Sequence, residues 1–559
     1  MFTGITAAAG MSLNIPLFAV IVVVYMLAIS YLGWRGWKAT KTAADYLVAG
    51  RDVHPYIMAM SYGATFISTS AIVGFGGVAG LFGLSLLWLT FCNIAVGIFI
   101  AFVFLGKRTR QVSHHLSAHT FPEMLGKRYK SKFIQVSTAF IILTMVLYAA
   151  AVLIGAARHL EGIIGLSIDL AILLFVIFTT AYVVAGGLKG VMYTDALQGS
   201  LMFIGMALLL IMTLTNPKID GLTNAHKKMD IAYQKVLTPA HLKSGIAIAG
   251  RNLPDGISLD DKSVDEYFAK TMAAVKAGKG IPGIMGGIAK IELENVKLTI
   301  AAKKELFQRV KPYVLQFLIL NGIKKGGHQG WTKMPAAGTP IWFTVISTLT
   351  LGVGIGVPAQ PQLSVRFMTV KSSREINRSV LIGGVFIILM TGIAFVVGSV
   401  SNAYFFEHHQ GLTAIGIAGG NADAVIPAFL KSAMPPWFNY VFLIALVSAA
   451  MSTMSSQFHT MGTAISRDIF EALGFIKKEE QGGRKSIIAA KLGVGVMIIL
   501  TTIIAYILPG SIIATATAIF MGLCAAAFLP SLVGGLYWKG STKAGAIASI
   551  CTGTATSLF

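Results

Sequence analysis

Ser448, Ser452, Thr453, Ser455, Ser456 and Thr460 stand together in one apolar stretch, LIALVSAAMSTMSSQFHTMGTAISRD. On a helix, Ser452 lies one turn from Ser448 and from Ser455 and Ser456, so several of these hydroxyls share a face. A hydroxyl in such a helix ordinarily bonds its own backbone or a neighbouring helix. Two other stretches widen what these hydroxyls can do. MSYGATFISTSAIVGFGGVAG and LGVGIGVPAQPQL are apolar but interrupted by Gly and Pro. Breaking a helix inside a bilayer frees carbonyl and N–H groups that lipid cannot satisfy, so they must face protein, an ion or a solute. Freed carbonyls and hydroxyls together make a hard oxygen cage suited to a small cation. One interrupted helix is an ordinary kink. Two at matching positions of a repeated architecture mark a binding site between them.

The elements that must hold these residues are membrane helices. Only 12% of the 559 residues are charged and the mean hydropathy is +0.73, where a soluble domain carries roughly 25% charged residues. The net charge of +22 comes from Lys and Arg between apolar runs, which is membrane topology and not a nucleic-acid surface. Windows of about 20 residues give spans at about 12–34, 56–81, 84–105, 134–157, 164–184, 196–215, 340–365, 380–400, 438–465, 487–508 and 511–538. A twelfth starts near Ala544 and is still apolar at Phe559, so the sequence reads as stopping inside a span. The first run is long enough to cross and has no basic region before it, so a cleavable signal peptide is not expected. Cys92, Cys524 and Cys551 lie in apolar stretches and read as small core residues, with no disulfide framework.

The interrupted stretches are the second and seventh spans. Residues 56–215 and 340–538 therefore form two halves of five helices, and the odd number inverts one against the other. Residues 1–55 hold an extra helix and a loop, and 539–559 the start of a last helix. Lys107, Arg108, Arg110, Lys127, Arg128, Lys130 and Lys132 follow the third span, Arg366, Lys371, Arg374 and Arg378 the seventh, and Arg467, Lys477, Lys478, Arg484 and Lys485 the ninth. The 401–437 loop has one Lys and no Arg. The rich loops belong inside, which puts the N-terminus outside a cell (plasma) membrane. Residues 216–339 are a polar, lysine-rich insertion placed outside, with helical periodicity near 264–276 and 296–320. Loops this long translocate largely regardless of charge. The insertion reads either as a variable surface element or as a small domain that gates or captures solute.

Four motifs give the chain a resemblance to the sodium:solute symporter family, which includes proline, glucose and pantothenate carriers. DYLVAGRDVHP precedes the second span and resembles the family's "DYxLGGR" pattern. GGLKGVMYTDALQGSLM leads into the sixth span and is close to "GGxxAVxxTDxxQ". QPQLSVRFM closes the seventh and AAMSTMSSQFHTMGTAISRDIF covers the ninth. The resemblance implies an all-α leucine-transporter-type inverted repeat of five plus five helices with flanking helices, and sodium-driven alternating access.

It also implies a sodium site between the second and ninth spans. Backbone carbonyls would come from Ala64, Ile67 and Ala449 and hydroxyls from Ser452 and Thr453, with no required carboxylate. Ser68, Tyr148, Gln360 and Pro361 match positions of the solute site. Asp195, at the cytoplasmic start of the sixth span, would act in sodium release or coupling. Phe66 stands where the proline carriers have an Asp, and Val353 and Val357 where they have an aromatic pair. The ion site therefore carries over better than the proline site. The solute is expected to be a small organic molecule of amino-acid or monocarboxylate type.

Asp195 taken alone is an interfacial charge. His114, His115 and His119 read as solvated residues of a basic loop, and His408 and His409 lack ligand spacing. No catalytic constellation appears, so no enzyme activity is expected. A proton-coupled transporter of the same fold is one alternative. A transporter-like sensor module is another; it would need a cytoplasmic signalling domain, which is not expected before Phe559.

Overall fold

A computed structural model of the chain describes residues 15–278, 280–476, 483–508 and 513–558. Every regular element among the described residues is helical. Nine helices among them are long and apolar enough to cross a membrane. Twelve apolar segments are expected from the sequence, and the two counts agree once the joints are located. Ile168–Leu214 carries the fifth and sixth spans in one run, bent only at Gly187 (φ 57°, ψ −156°). The second span is divided, and its first half, Pro55–Phe66, has only 12 residues. Its second half, Phe75–Phe82, turns directly into the third span at Gly83 (φ 75°). The last helix, Lys543–Leu558, has 16 residues.

Helix starts are set by short polar side chains that accept from the first free N–H groups. Thr42 caps Ala43–Val48 and completes a reciprocal box with Asp45. Thr120, Ser131 and Ser167 accept from Glu123, Ile134 and Leu170.

Burial ranks the helices. In the most apolar window of Pro436–Glu471, which holds the ninth span, 89% of residues are buried, against 17% for the first span. The hydroxyl-rich helix is thus the centre of the bundle, and the first span is a lipid-facing flank. That flank is pinned at Gly36, where a Cβ would lie 2.3 Å from the Cα of Gly190. Beside it, Gly187 leaves room for the ring of Tyr46, and Lys189 pairs with Asp45 at 3.5 Å. Two of the motifs therefore meet in one joint.

The insertion is folded. Gly221–Val236, Pro239–Ala249, Asp261–Lys276, Gly280–Ala289 and Ile300–Lys325 are helices. The two periodic stretches seen in the sequence correspond to the third and fifth of these. Leu242, Ile246, Val264, Tyr267, Leu306 and Val310 belong to a core of its own.

Three expectations are corrected. Arg366, counted among the loop charges after the seventh span, is fully buried. Cys551 is exposed and not part of the core. His114 and His119 are half-buried and not solvated; burial holds the His119 imidazole down at about 4, below its ordinary range.

Candidate ion and solute site

Both interrupted spans are broken in the backbone. In the second span the helix stops at Phe66, and Ile67 is extended (φ −84°, ψ 93°). Helix restarts at Ser70–Gly74. In the seventh, Val357–Ala359 tightens, Gln360 is extended (ψ 124°), and Pro361–Phe367 begins anew. The proline at the first position of the new helix has no N–H to leave unsatisfied.

A helix that ends at Phe66 leaves its last carbonyls without intrahelical partners. Ile67 N–H closes onto the Gly63 carbonyl at 2.8 Å. The next two carbonyls are met from the ninth span. Ser452 Oγ donates to the Ala64 carbonyl at 2.8 Å and also lies 3.2 Å from that of Ala449. Thr453 Oγ1 donates to the Thr65 carbonyl at 3.1 Å. Ser452 and Thr453 are fully buried. Four of the five residues named for the cation, Ala64, Ala449, Ser452 and Thr453, thus sit in one hydroxyl–carbonyl cluster, and Ile67 is the extended residue beside it. A hydroxyl that donates keeps acceptor lone pairs, as does a carbonyl that accepts once. The negative end of the Pro55–Phe66 helix dipole also falls here.

Next to that cluster lies a buried polar network that the sequence did not reveal. Asp195 is not interfacial: it is fully buried and pairs with Arg366 (Nη2 to Oδ2, 3.1 Å). Ser61 Oγ donates to the same carboxylate oxygen at 2.7 Å and Thr65 Oγ1 at 3.4 Å. Ser456 Oγ lies 2.8 Å from Thr65 Oγ1 and takes a bond from Arg366. Arg366 Nε reaches Ser61 Oγ at 2.9 Å. The network joins Pro55–Phe66 and Pro361–Phe367, one half of each broken span, to the sixth and ninth spans. Thr65 belongs to it through its hydroxyl and to the cluster above through its carbonyl. The missing signal was Asp195 itself, a carboxylate at membrane depth that needs a partner.

A cavity adjoins the break of the second span. Phe66, Phe75, Leu89, Val353, Phe395 and Met521 give it an apolar wall, and Ser68, Asn93, Tyr148, Thr391 and Thr517 its polar positions. Tyr148 O–H donates to Ser68 Oγ at 3.2 Å. Asn93 Oδ1 is buried with no hydrogen-bond partner among the described residues, although a buried amide oxygen left unmet costs roughly 1–3 kcal/mol. Asn93 escaped the sequence reading because one Asn in an apolar span carries no pattern. Of the four solute positions expected, Ser68 and Tyr148 line this cavity. Gln360 and Pro361 do not, and Pro361 lines a second one.

That second cavity lies on the other side of the seventh span's break, among His119, Thr120, Val365, His459, Thr460, Thr463 and Asp468. An ionic cluster stands next in the chain to its lining residues Pro122 and Asp468. Glu123 takes bonds from Arg467 at 3.1 and 3.3 Å and from Lys127 at 2.7 Å. Arg467 also meets Glu471 at 2.6 Å. Burial pushes the Glu123 carboxyl up, but Arg467 and Lys127 outweigh it and hold it at about 2.

Broken paired helices around a hydroxyl-lined central span are the architecture of a sodium-coupled symporter. A solved sodium-coupled sialic acid symporter shares the fold, with a TM-score of 0.61 at 17% identity over 97% of this chain and 98% of that one. The profile of the sodium:solute symporter family matches residues 46–255 and 329–553, and the chain belongs to that family. The osmoregulated proline transporter OpuE of Bacillus subtilis is 23% identical, over 96% of this chain and 87% of its own length. The sodium/proline symporter of Escherichia coli is 24% identical (95% and 85%). The sodium/pantothenate symporter of Haemophilus influenzae is 25% identical (91% and 82%). The chain is therefore a multi-pass plasma-membrane protein that couples sodium to the symport of a small organic solute.

Proposed function

We propose that sodium binds where the ninth span meets the broken second span, held by the carbonyls of Ala64, Ile67 and Ala449 and the hydroxyls of Ser452 and Thr453. The observation that carries this is the direct contact of Ser452 and Thr453 with carbonyls freed at the break. An ion entering the cluster exchanges these bonds for coordination and ties the two spans together. Asp195 stands one hydroxyl away, through Thr65, and is the coupling residue: it senses the position of Pro55–Phe66 through Ser61 and Arg366.

The solute site is the cavity of Ser68, Asn93 and Tyr148, with Gln360 and Pro361 acting from the seventh span's break. Among the described residues, no charged side chain lines that cavity. A charge on the solute must then be met by the bound sodium or by backbone at the breaks, which favours a small monocarboxylate or amino acid with an apolar body. The relatives named for proline and pantothenate carry solutes with a carboxylate. Phe66 and Val353 in the wall make proline itself a weak substrate.

Transport begins with sodium and solute entering from outside, where the N-terminus lies. The loop charges support this orientation even without Arg366, since Lys371, Arg374 and Arg378 remain after the seventh span. The membrane potential contributes about 2.3 kcal/mol per charge per 100 mV. The cavity lined by Pro361, His459, Thr463 and Asp468 is the exit. In proteoliposomes, Ser452→Ala with Thr453→Ala is expected to abolish sodium stimulation of uptake while the protein still inserts. Unchanged sodium dependence in that double variant would remove the site assignment.

A further inference from the structure

The family match stops at residue 255 and resumes at 329, so the helix Ile300–Lys325 lies outside it. That helix grips a loop of the transport core. Gln316, only 1% exposed, accepts from Thr413 N–H at 2.8 Å and Thr413 Oγ1 at 3.1 Å, and donates to the Gly411 carbonyl at 3.3 Å. Tyr313 O–H donates to the Gln410 carbonyl at 3.1 Å. The gripped loop in turn lies on Phe75–Phe82, the outer half of the second span in the orientation proposed above: a Cβ on Gly77 would sit 1.9 Å from the Ala422 carbonyl oxygen. At the far end of the same half-helix, Trp331, fully buried, donates from Nε1 to the Leu81 carbonyl at 3.2 Å and accepts from Leu84 N–H at 2.7 Å.

The outer half of the second span is thus held at its face, through the loop, and at its tip, through Trp331. Its other end borders the solute cavity. The break at Ile67 lets this half move apart from the inner half, as alternating access requires. We propose that the insertion is a clamp on the outer gate, with Gln316 as its positioning residue: it holds the outer half of the second span against the 410–424 loop, and its release opens the solute cavity to the outside. The proposal rests on the sodium-symport reading and on the orientation given above.

Two thiol reporters in a background lacking Cys92, Cys524 and Cys551 test it. Thr517→Cys reports the solute cavity from outside, and Thr463→Cys reports the exit cavity from inside, each read by labelling with an impermeant thiol reagent. Gln316→Leu is expected to speed labelling at Thr517→Cys at least threefold and to slow it at Thr463→Cys, with Tyr313→Phe giving a smaller change of the same signs. Faster labelling at both reporters would mean general loosening and would overturn the clamp, as would no change at either. Sodium alone must also shift the parent reporters. Were it to shift them while both variants behaved as the parent, the clamp would fail and sodium coupling would stand; were sodium to shift nothing, the reading beneath the proposal would fall.

Discussion

At the scale of residues, two kinds of side chain meet at the centre of this protein, and they were unequally visible. Ser452 and Thr453 could be read from sequence because hydroxyls are conspicuous in an apolar helix and fall within a motif. Arg366 could not, because a basic residue just after an apolar run looks like a loop charge. Only folding shows it turned inward to Asp195. The pair is costly to break: removing one partner strands a buried charge, at about 3–5 kcal/mol. Arg366→Ala is therefore expected to lower the melting temperature of the purified protein sharply. Arg366→Met with Asp195→Asn, which removes both charges, should recover much of that loss yet remain defective in sodium-driven uptake. Asn93→Leu makes a separate case. Sodium alone should stabilise this variant as it does the parent, whereas solute added with sodium should give little further shift in a thermal-melt assay.

At the scale of elements, the breaks were legible from Gly and Pro, but their positions were set by contacts. The seventh span carries Gly352, Gly354 and Gly356, yet the chain stays helical through them and opens at Gln360. The joint packing that decides this leaves no mark in a one-dimensional pattern. The loop that carries Asp423 offers a test by pH. Burial pushes the Asp423 carboxyl up to about 6 from 3.8, against the Ile513 amide and Arg158. The folded protein then holds a proton that the unfolded chain has lost between about pH 4 and 6. Stability should fall as pH rises through that window, and Asp423→Asn should remove the slope, as followed by melting at stepped pH. Gly77→Ala should separate the same loop from the second span, since its methyl would collide with the Ala422 carbonyl. Faster outside labelling of a cavity thiol is the expected readout.

At the scale of the whole molecule, apolar runs gave the number of crossings but not how they connect. Twelve runs become nine long helices among the described residues because the fifth and sixth crossings share one helix, the second runs on into the third, and the last helix has only 16 residues. The insertion was visible as polar sequence, and two of its helices by their period. Its hold on the core was not, because Gln316 and Trp331 act on residues about a hundred and about 250 positions away. Sodium should stabilise the whole bundle by mass action: at a hundred times its dissociation constant, about 2.7 kcal/mol. Potassium at equal ionic strength should not, and Ser452→Ala with Thr453→Ala should erase the difference in melting.

The undivided helix Ile168–Leu214 bears on where this chain tolerates being opened. Gly187 is a hinge without slack: it is wedged against Tyr46, and the adjoining Gly190 is pressed onto the first span at Gly36. A protease site or an affinity tag placed between the fifth and sixth crossings would have to unwind helix before it could protrude. The turn near Gly256, where nothing lies within 4 Å of a would-be Cβ, offers the opposite prospect. Relatives can differ in length there, and a fluorescent label can be added there, without disturbing the path of the ion.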